Sequence, residues 1–106
     1  MRFKGELKFF AEDFWELMEQ QNHKCALTGR KFEPINTEIE LKKPNLREGR
    51  FEKSNFYLIN KSLSPLARYL SEDEIIELAI EIIQFRGKER GYSIRRNKAH
   101  ENKTKE

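Results

Sequence analysis

The sequence has few of the features that mark secreted or membrane-bound proteins. Its 106 residues include a single cysteine, Cys25, so no disulfide can form within the chain. No apolar stretch approaches the roughly 20 residues of a membrane span or the roughly 7 to 15 residues of a signal-peptide core. We therefore expect a cytoplasmic protein in a reducing setting, with no membrane partner.

Histidine is almost as scarce, and this scarcity narrows the choice of a catalytic base. His23 precedes a short turn-like segment, and His100 lies close to the end of the sequence. A general base must lie within hydrogen-bonding distance of the water that it activates, and the sequence gives neither residue such a position. We expect both histidines to be exposed to solvent and to have no catalytic role.

Charged residues are abundant, at 37% of the chain, and the apolar fraction is also 37%. The net charge of +3 comes entirely from residues 95–106, which hold five basic and two acidic side chains. Residues 1–94 hold 16 of each sign. We expect one domain over 1–94, followed by a basic, disordered tail over 95–106.

Within the domain the two signs are separated along the chain. Acidic residues without a basic neighbour occupy 72–81, whereas the preceding stretch from Lys42 to Arg68 is strongly basic. Lys and Arg bind phosphate without reading base sequence, so this stretch is the predicted nucleic-acid surface. Its basic residues are Lys42, Lys43, Arg47, Arg50, Lys53, Lys61 and Arg68. The alternative, an ordinary charged surface, stays open.

Aromatic residues lie in or beside the same stretch, and acidic residues lie in the strand before it and in the loop within it. The aromatic residues are Phe51, Phe56, Tyr57 and Tyr69, which we expect to pack in the protein rather than to stack on bases. The acidic residues are Glu38, Glu40, Glu48 and Glu52, which we expect on a solvated face rather than around a metal ion.

The hydrophobic spacing predicts an α+β fold. An apolar stripe through FFAEDFWELMEQQ predicts a helix over about 10–21, and HKCALTGRKF suits a hairpin turned by Gly29. TEIELKK alternates as a strand, and NFYLIN is typical of a second one. Ser71 and Glu74 form a capping box that begins a helix over about 72–85, which Gly87 and Gly91 end.

These elements and their motifs resemble the HNH endonuclease family, whose active site is a ββα-metal finger. The resemblance covers about residues 10–85 and rests on CALTG at 25–29, IELKKP at 39–44, Gly49, NFYLIN at 55–60 and LSEDE at 70–74. It implies an N-terminal helix, a β-hairpin or short strands and a C-terminal helix in a ββα arrangement.

Matching the family motif residue by residue shows which functional groups remain. Glu40 takes the place of the carboxylate, and Asn55 that of the asparagine that braces the loop. Leu41 takes the place of the catalytic histidine, and Ser64 that of the metal ligand on the helix. Leucine has no proton acceptor, and serine is a poor ligand for a hard cation. We therefore expect no catalytic residue, no bound metal and no cofactor.

The structural zinc of some family members is also predicted to be missing. The matching positions are Cys25, Thr28, Asn60 and Leu63, which offer one zinc ligand of the four that are needed. We expect Cys25 to behave as a small buried apolar residue.

The sequence thus favours a catalytically inactive, HNH-like domain that binds nucleic acid, DNA in preference to RNA. A second hypothesis is a protein-interaction or inhibitor module that reuses the fold and presents the acidic side chains of Glu74, Glu77 and Glu81. The third is an active metal-dependent nuclease with displaced residues. The identity of a protein partner, the preferred nucleic-acid sequence and the oligomeric state are left open.

Overall fold

Helices and a small sheet make up the protein, which a computed structural model describes over residues 11–97. Three α-helices and two strands are present in that range: α1 (Ala11–Gln20), β1 (Thr37–Leu41), β2 (Phe56–Asn60), α2 (Ser64–Ala67) and α3 (Glu72–Ile82). Short 3-10 turns occupy Pro34–Asn36, Lys53–Asn55 and Lys61–Leu63. The predicted α+β class is confirmed. The predicted disordered tail lies mostly outside the described residues.

The two strands pair antiparallel, and their register decides which side chains share a face. Leu41 lies opposite Phe56, and Glu40 lies opposite Tyr57. Because neighbouring residues of a strand point to opposite faces, Leu41 and Phe56 share one face while Glu40 and Tyr57 share the other.

Helix α1 packs on the first of these faces. Phe14 and Leu17 contact the buried cluster of Leu41 and Phe56, in agreement with the apolar stripe of the sequence. Trp15 lies off that stripe, is 62% exposed and meets Phe14 edge to face at 5.2 Å between ring centroids. The helix predicted over 10–21 is confirmed from Ala11 to Gln20, and residue 10 lies outside the described range.

Immediately after α1, Gln21 joins the helix to the sheet. Its side-chain amide donates to the carbonyl of Leu58 at 2.9 Å and accepts from the amide of the same residue at 3.0 Å. The Leu58 carbonyl also accepts from the backbone amide of Ala26, at 3.1 Å. The outer side of β2 is therefore hydrogen-bonded at Leu58 by Gln21 and Ala26.

The second face is also covered, which corrects one prediction. Tyr57 and Ile59 are buried there together with Cys25, Ala67 and Ile75. Glu40 lies on the same face and is 1% exposed, so its predicted place on a solvated surface is wrong. Strand alternation separates Glu40 from Leu41 but does not reveal that both faces are buried.

The predicted hairpin around Gly29 is a tight turn closed by one bridge. Lys24 pairs with Lys31, and the amide of Cys25 donates to the carbonyl of Arg30 at 2.8 Å. Gly29 has a φ of 74°, the left-handed region that glycine enters without a steric penalty.

The last helical segment begins as predicted and continues further. Glu74 donates its backbone amide to the Ser71 hydroxyl at 3.2 Å and accepts from the Ser71 amide at 2.9 Å, so the capping box is formed. After α3 the chain stays helical through a π turn, Ile83–Gly87, and a 3-10 turn, Lys88–Arg90.

Gly91 ends this segment, whereas Gly87 lies within it. Gly91 has a φ of 88°, and the amide of Tyr92 reaches back to the carbonyl of Gly87 at 2.9 Å while that of Gly91 donates to Lys88 at 3.2 Å. Together these bonds form a Schellman motif. α3 itself ends at Ile82, close to the predicted end at about residue 85, and the π and 3-10 turns continue to Arg90, because a single glycine lowers helix stability without terminating the helix.

The chain divides into two compact units, the first ending at Ile75 and the second beginning at Ile76. The boundary falls inside α3, where the sequence has neither glycine nor proline. Between residues 11 and 97, no helix has the length and apolar character required to cross a bilayer.

Replacing Ser71 by alanine tests the capping box. Ser71→Ala removes the acceptor of the Glu74 amide and is expected to lower the free energy of unfolding by about 0.5 to 2 kcal/mol. Chemical denaturation followed by circular dichroism measures the change. The matched control is Ser93→Ala, in exposed chain beyond the last helical turn, which is expected to alter stability by less than about 0.5 kcal/mol. Equal stability of the two variants would contradict the assigned helix start.

Candidate nucleic-acid interface

The candidate site is built around a buried carboxylate. Glu40, at the penultimate position of β1, accepts a hydrogen bond from the hydroxyl of Ser64, the first residue of α2. Both residues are nearly inaccessible to solvent, at 1% and 2% exposed. A buried carboxylate requires hydrogen-bond donors, and Ser64 supplies one. The two positions matched to the metal ligands of the HNH pattern thus lie in direct contact.

The turn between β2 and α2 brings Ser64 to this place. Asn60 ends β2 and caps the following 3-10 turn, because its side-chain oxygen accepts from the amide of Ser62 at 3.0 Å and from its hydroxyl at 2.8 Å. Pro65 follows Ser64 in the first turn of α2, where a missing amide hydrogen carries little penalty.

Asn55 braces the loop between the strands. Its side chain accepts from the amide of Lys43 at 3.0 Å and donates to the carbonyls of Lys43 and Arg50, at 3.1 and 2.8 Å. The residue is buried, so these bonds are shielded from competition with water. The loop that carries Lys43 and Arg50 is therefore attached to the start of β2.

Above the buried carboxylate lies a cleft of about 310 Å³. Arg50 and Arg68 supply its cationic groups, and Glu40 supplies the carboxylate. The residues that line it are Glu40, Leu41, Pro44, Arg50, Phe51, Ala67 and Arg68. Two guanidinium groups and one carboxylate give this cleft a positive balance. We call it the arginine cleft.

Its two arginines come from separate parts of the chain. The Nε atom of Arg50 donates to the carbonyl of Leu46 at 2.9 Å, and its guanidinium lies 5.6 Å from the ring centroid of Phe51. Arg68 follows α2 directly and is exposed. Guanidinium groups present several donors in a plane and suit bidentate contacts with phosphate.

A neighbouring cleft, of about 460 Å³, is larger but less suited to an anion. Lys42 and Lys43 line it, together with the carboxylates of Glu52, Glu72 and Asp73. Three carboxylates offset the charge of two lysines, so this cleft is less favourable for an anion than the smaller arginine cleft.

The remaining predicted phosphate contacts do not all lie together, although Lys42 and Lys53 line one further small cleft with Asp13. Lys53 is bound to the buried carboxylate of Asp13 at 3.1 Å between Nζ and Oδ1, and this hydrogen bond raises the pKa of Lys53. Lys61 follows β2, whereas Lys42 follows β1, so they lie at opposite ends of the sheet. Arg47 is exposed in the connecting loop.

Leu41 borders the arginine cleft but belongs to the apolar core. It is buried with Phe56 against Phe14 and Leu17 of α1. The position matched to the catalytic histidine thus holds a packed hydrocarbon that cannot accept a proton.

The positions matched to the structural zinc ligands also converge. The Sγ atom of Cys25 accepts from the backbone amides of Asn60 at 3.2 Å and Thr28 at 3.5 Å, and Leu63 packs against the cluster that holds Cys25. Burial acts to raise the pKa of this thiol, but hydrogen bonds from Thr28, Asn60 and Leu27 outweigh it and lower the pKa below its ordinary value.

Among residues 11–97, no three or more His, Cys, Asp or Glu side chains are grouped so that they could hold a metal ion. His23 is exposed after α1, where its Nε2 lies 3.5 Å from a carboxylate oxygen of Glu19. His100 lies outside the described residues. Of the aromatic residues considered for stacking, Phe56 and Tyr57 are buried, and Tyr69 is 74% exposed.

Sequence reasoning missed that the hydroxyl of Tyr57 is buried on the same face of the sheet as Glu40. This residue lies opposite Glu40 and is 2% exposed, and its hydroxyl has no hydrogen-bond partner within residues 11–97. Burial raises the pKa of Tyr57 to about 12, with further contributions from the charges of Glu72, Glu40 and Cys25. Correct pairing of the two strands would have placed this tyrosine beside the carboxylate.

Comparison of this chain with protein-family models, with curated proteins and with solved structures gives no significant match.

The raised pKa of Tyr57 predicts a specific alkaline instability. The folded state favours the neutral phenol over the ionised one. The contribution of this preference to the free energy of unfolding is therefore complete below pH 10, and it is lost as the pH rises towards 12. The loss is expected to reach roughly 2 to 3 kcal/mol. Urea denaturation of the parent and of Tyr57→Phe between pH 9 and about 12 isolates this contribution from other titrating groups.

The two proteins serve as each other's control. At neutral pH, Tyr57→Phe is expected to be as stable as the parent or more stable, because it removes a buried hydroxyl without a partner in the described structure. Parallel stability curves at alkaline pH would contradict the assigned environment of Tyr57.

Proposed function

We propose that this chain is a catalytically inactive, HNH-like domain that binds nucleic acid through the arginine cleft. The observation that carries the proposal is that Arg50 and Arg68, from separate parts of the chain, line one concave site. Phosphate contacts supply most of the affinity of sequence-independent binding, and arginine is well suited to make them. DNA in preference to RNA is what the family resemblance implies.

The floor of the cleft supports binding without cleavage. Hydrolysis of a phosphodiester needs an activated water, and the position matched to the base holds Leu41. Glu40 is already hydrogen-bonded to Ser64, which is a poor ligand for a hard cation. Replacing Leu41 by histidine would also place an imidazole in the apolar cluster beside α1.

The buried, reduced thiol of Cys25 suits a reducing compartment, and cytoplasmic location forms part of the proposal. The rival function, a protein-interaction or inhibitor module, is favoured by a different observation: Glu74, Glu77 and Glu81 are all exposed along α3. The two functions differ in salt dependence, since phosphate binding weakens steeply as salt rises.

Charge reversal in the arginine cleft tests the binding site. Arg50→Glu with Arg68→Glu is expected to lower affinity for a fluorescent DNA duplex by at least about tenfold at low salt and to reduce the salt dependence. Fluorescence anisotropy over a range of salt concentrations measures both effects, with a single strand and an RNA of the same sequence for comparison.

The matched control is Lys31→Glu with Lys61→Glu, which changes the net charge equally at two exposed residues that do not line the arginine cleft. This variant is expected to lose only a little affinity for the DNA duplex, by a similar factor at every salt concentration. An equal loss in both double variants would show that net charge, and not the arginine cleft, governs binding.

Nuclease activity is expected to be absent from the parent chain. Incubation with supercoiled plasmid and Mg²⁺, Mn²⁺ or Zn²⁺ should leave the plasmid intact, because no base lies at the matched position. Glu40→Gln separates true activity from a contaminant. Nicking by the parent that disappears in Glu40→Gln would overturn the proposal, whereas equal nicking in both preparations would identify a contaminating nuclease.

A further inference from the structure

The second compact unit carries an unusual amount of exposed apolar side chain on its helical segment, Ile76–Arg90. Ile76 is 46% exposed, Ile82 is 54% exposed and Phe85 is 75% exposed. Beyond the helical segment, Tyr92 and Ile94 are also exposed. Ile82 and Phe85 are three residues apart and lie on one side of the segment, whereas Ile76 lies about two and a half turns before Phe85, on the other side. Single exposed apolar residues are ordinary, but two large ones side by side on a helix favour contact with another molecule.

Charge is distributed along the same segment in two halves of opposite sign. Residues 76–82 hold Glu77 and Glu81 and no basic residue, which gives a charge of −2. Residues 83–90 hold Arg86, Lys88 and Arg90 against Glu89, which gives a charge of +2. Arg86 and Glu89 lie 3.6 Å apart in an exposed pair, and such pairs contribute little to stability.

Two copies of this segment have complementary charges when they run in opposite directions. In an antiparallel pair of identical segments, the acidic half of each lies beside the basic half of the other. The exposed Ile82 and Phe85, which are three residues apart and neighbours on one side of the segment, meet those of the other chain between them. A parallel pair would place like charges together. Antiparallel pairing is also what the two-fold symmetry of a dimer with a perpendicular axis requires.

We propose that Ile76–Arg90 is a homodimer interface in which two copies of this segment pack antiparallel. The partner is a second copy of this chain, because the surface offers both an apolar contact and the opposite charge for each of its halves. The interface includes none of the residues that line the arginine cleft and stands independently of the proposed function.

Sedimentation velocity of the full chain tests the dimer over a roughly hundredfold range of concentration around the micromolar Kd of an ordinary interface. A species of twice the chain mass is expected to grow with concentration. Ile82→Glu with Phe85→Glu should weaken dimerisation by at least about tenfold, since apolar anchors carry most of an interface's affinity. Trp15→Glu with Ile35→Glu is the control, at exposed apolar residues of the first unit, and should leave it unchanged.

Charge exchange tests whether the two charged halves contribute to pairing. One variant carries Glu77→Lys with Glu81→Lys, and the other carries Arg86→Glu, Lys88→Glu and Arg90→Glu. Each is expected to be monomeric alone, because its halves then repel those of an identical copy, and an equal mixture of the two should form a heterodimer. Circular dichroism confirms that each variant is folded. A monomeric parent at every concentration, an undisturbed dimer in Ile82→Glu with Phe85→Glu, or dimers in both unmixed charge variants would overturn the proposal.

Discussion

The hydrogen bond between Ser64 and the buried carboxylate of Glu40 constrains the rest of the first unit. A carboxylate removed from water lowers stability by several kcal/mol unless donors replace the lost hydration, so Ser64 must stay within reach. That requirement couples three elements: β1, which carries Glu40; the Asn60-capped turn; and α2, which begins with Ser64. Moving any one of them would leave the carboxylate with fewer donors.

The same constraint explains why the strand register matters. A shift of one residue between β1 and its surroundings would exchange the faces of Glu40 and Leu41. The carboxylate would then enter the apolar cluster beside α1, and the leucine would lie beneath the two arginines. Asn55 opposes such a shift, because its side chain is bonded to the backbone on either side of the loop, at Lys43 and Arg50. Fold stability and the charge of the arginine cleft therefore depend on the same register.

Much of the architecture could be predicted from local sequence signals. The stripe through Phe14 and Leu17, the alternation around Ile39 and the Ser71 capping box each depend on neighbouring residues, and each has its predicted structure. The burial of Glu40 and the ion pair of Asp13 with Lys53 could not be predicted, since they depend on residues about 24 and 40 positions apart coming into contact. The separation of Lys61 from Lys42, at opposite ends of the sheet, has the same origin, because it is set by the antiparallel register.

The side chain of Gln21 has one further consequence. A two-stranded sheet offers two outer edges, and free amide and carbonyl groups along an edge attract strands from other molecules. At the centre of β2, the side-chain amide of Gln21 bonds both the backbone amide and the carbonyl of Leu58, as a peptide group of a neighbouring strand would. A side chain offers only one such group, so the contact is limited to this residue. A foreign strand would have to displace this side chain before it could pair with β2. The glutamine therefore protects that edge against sheet-to-sheet polymerisation, and it does so without adding a third strand.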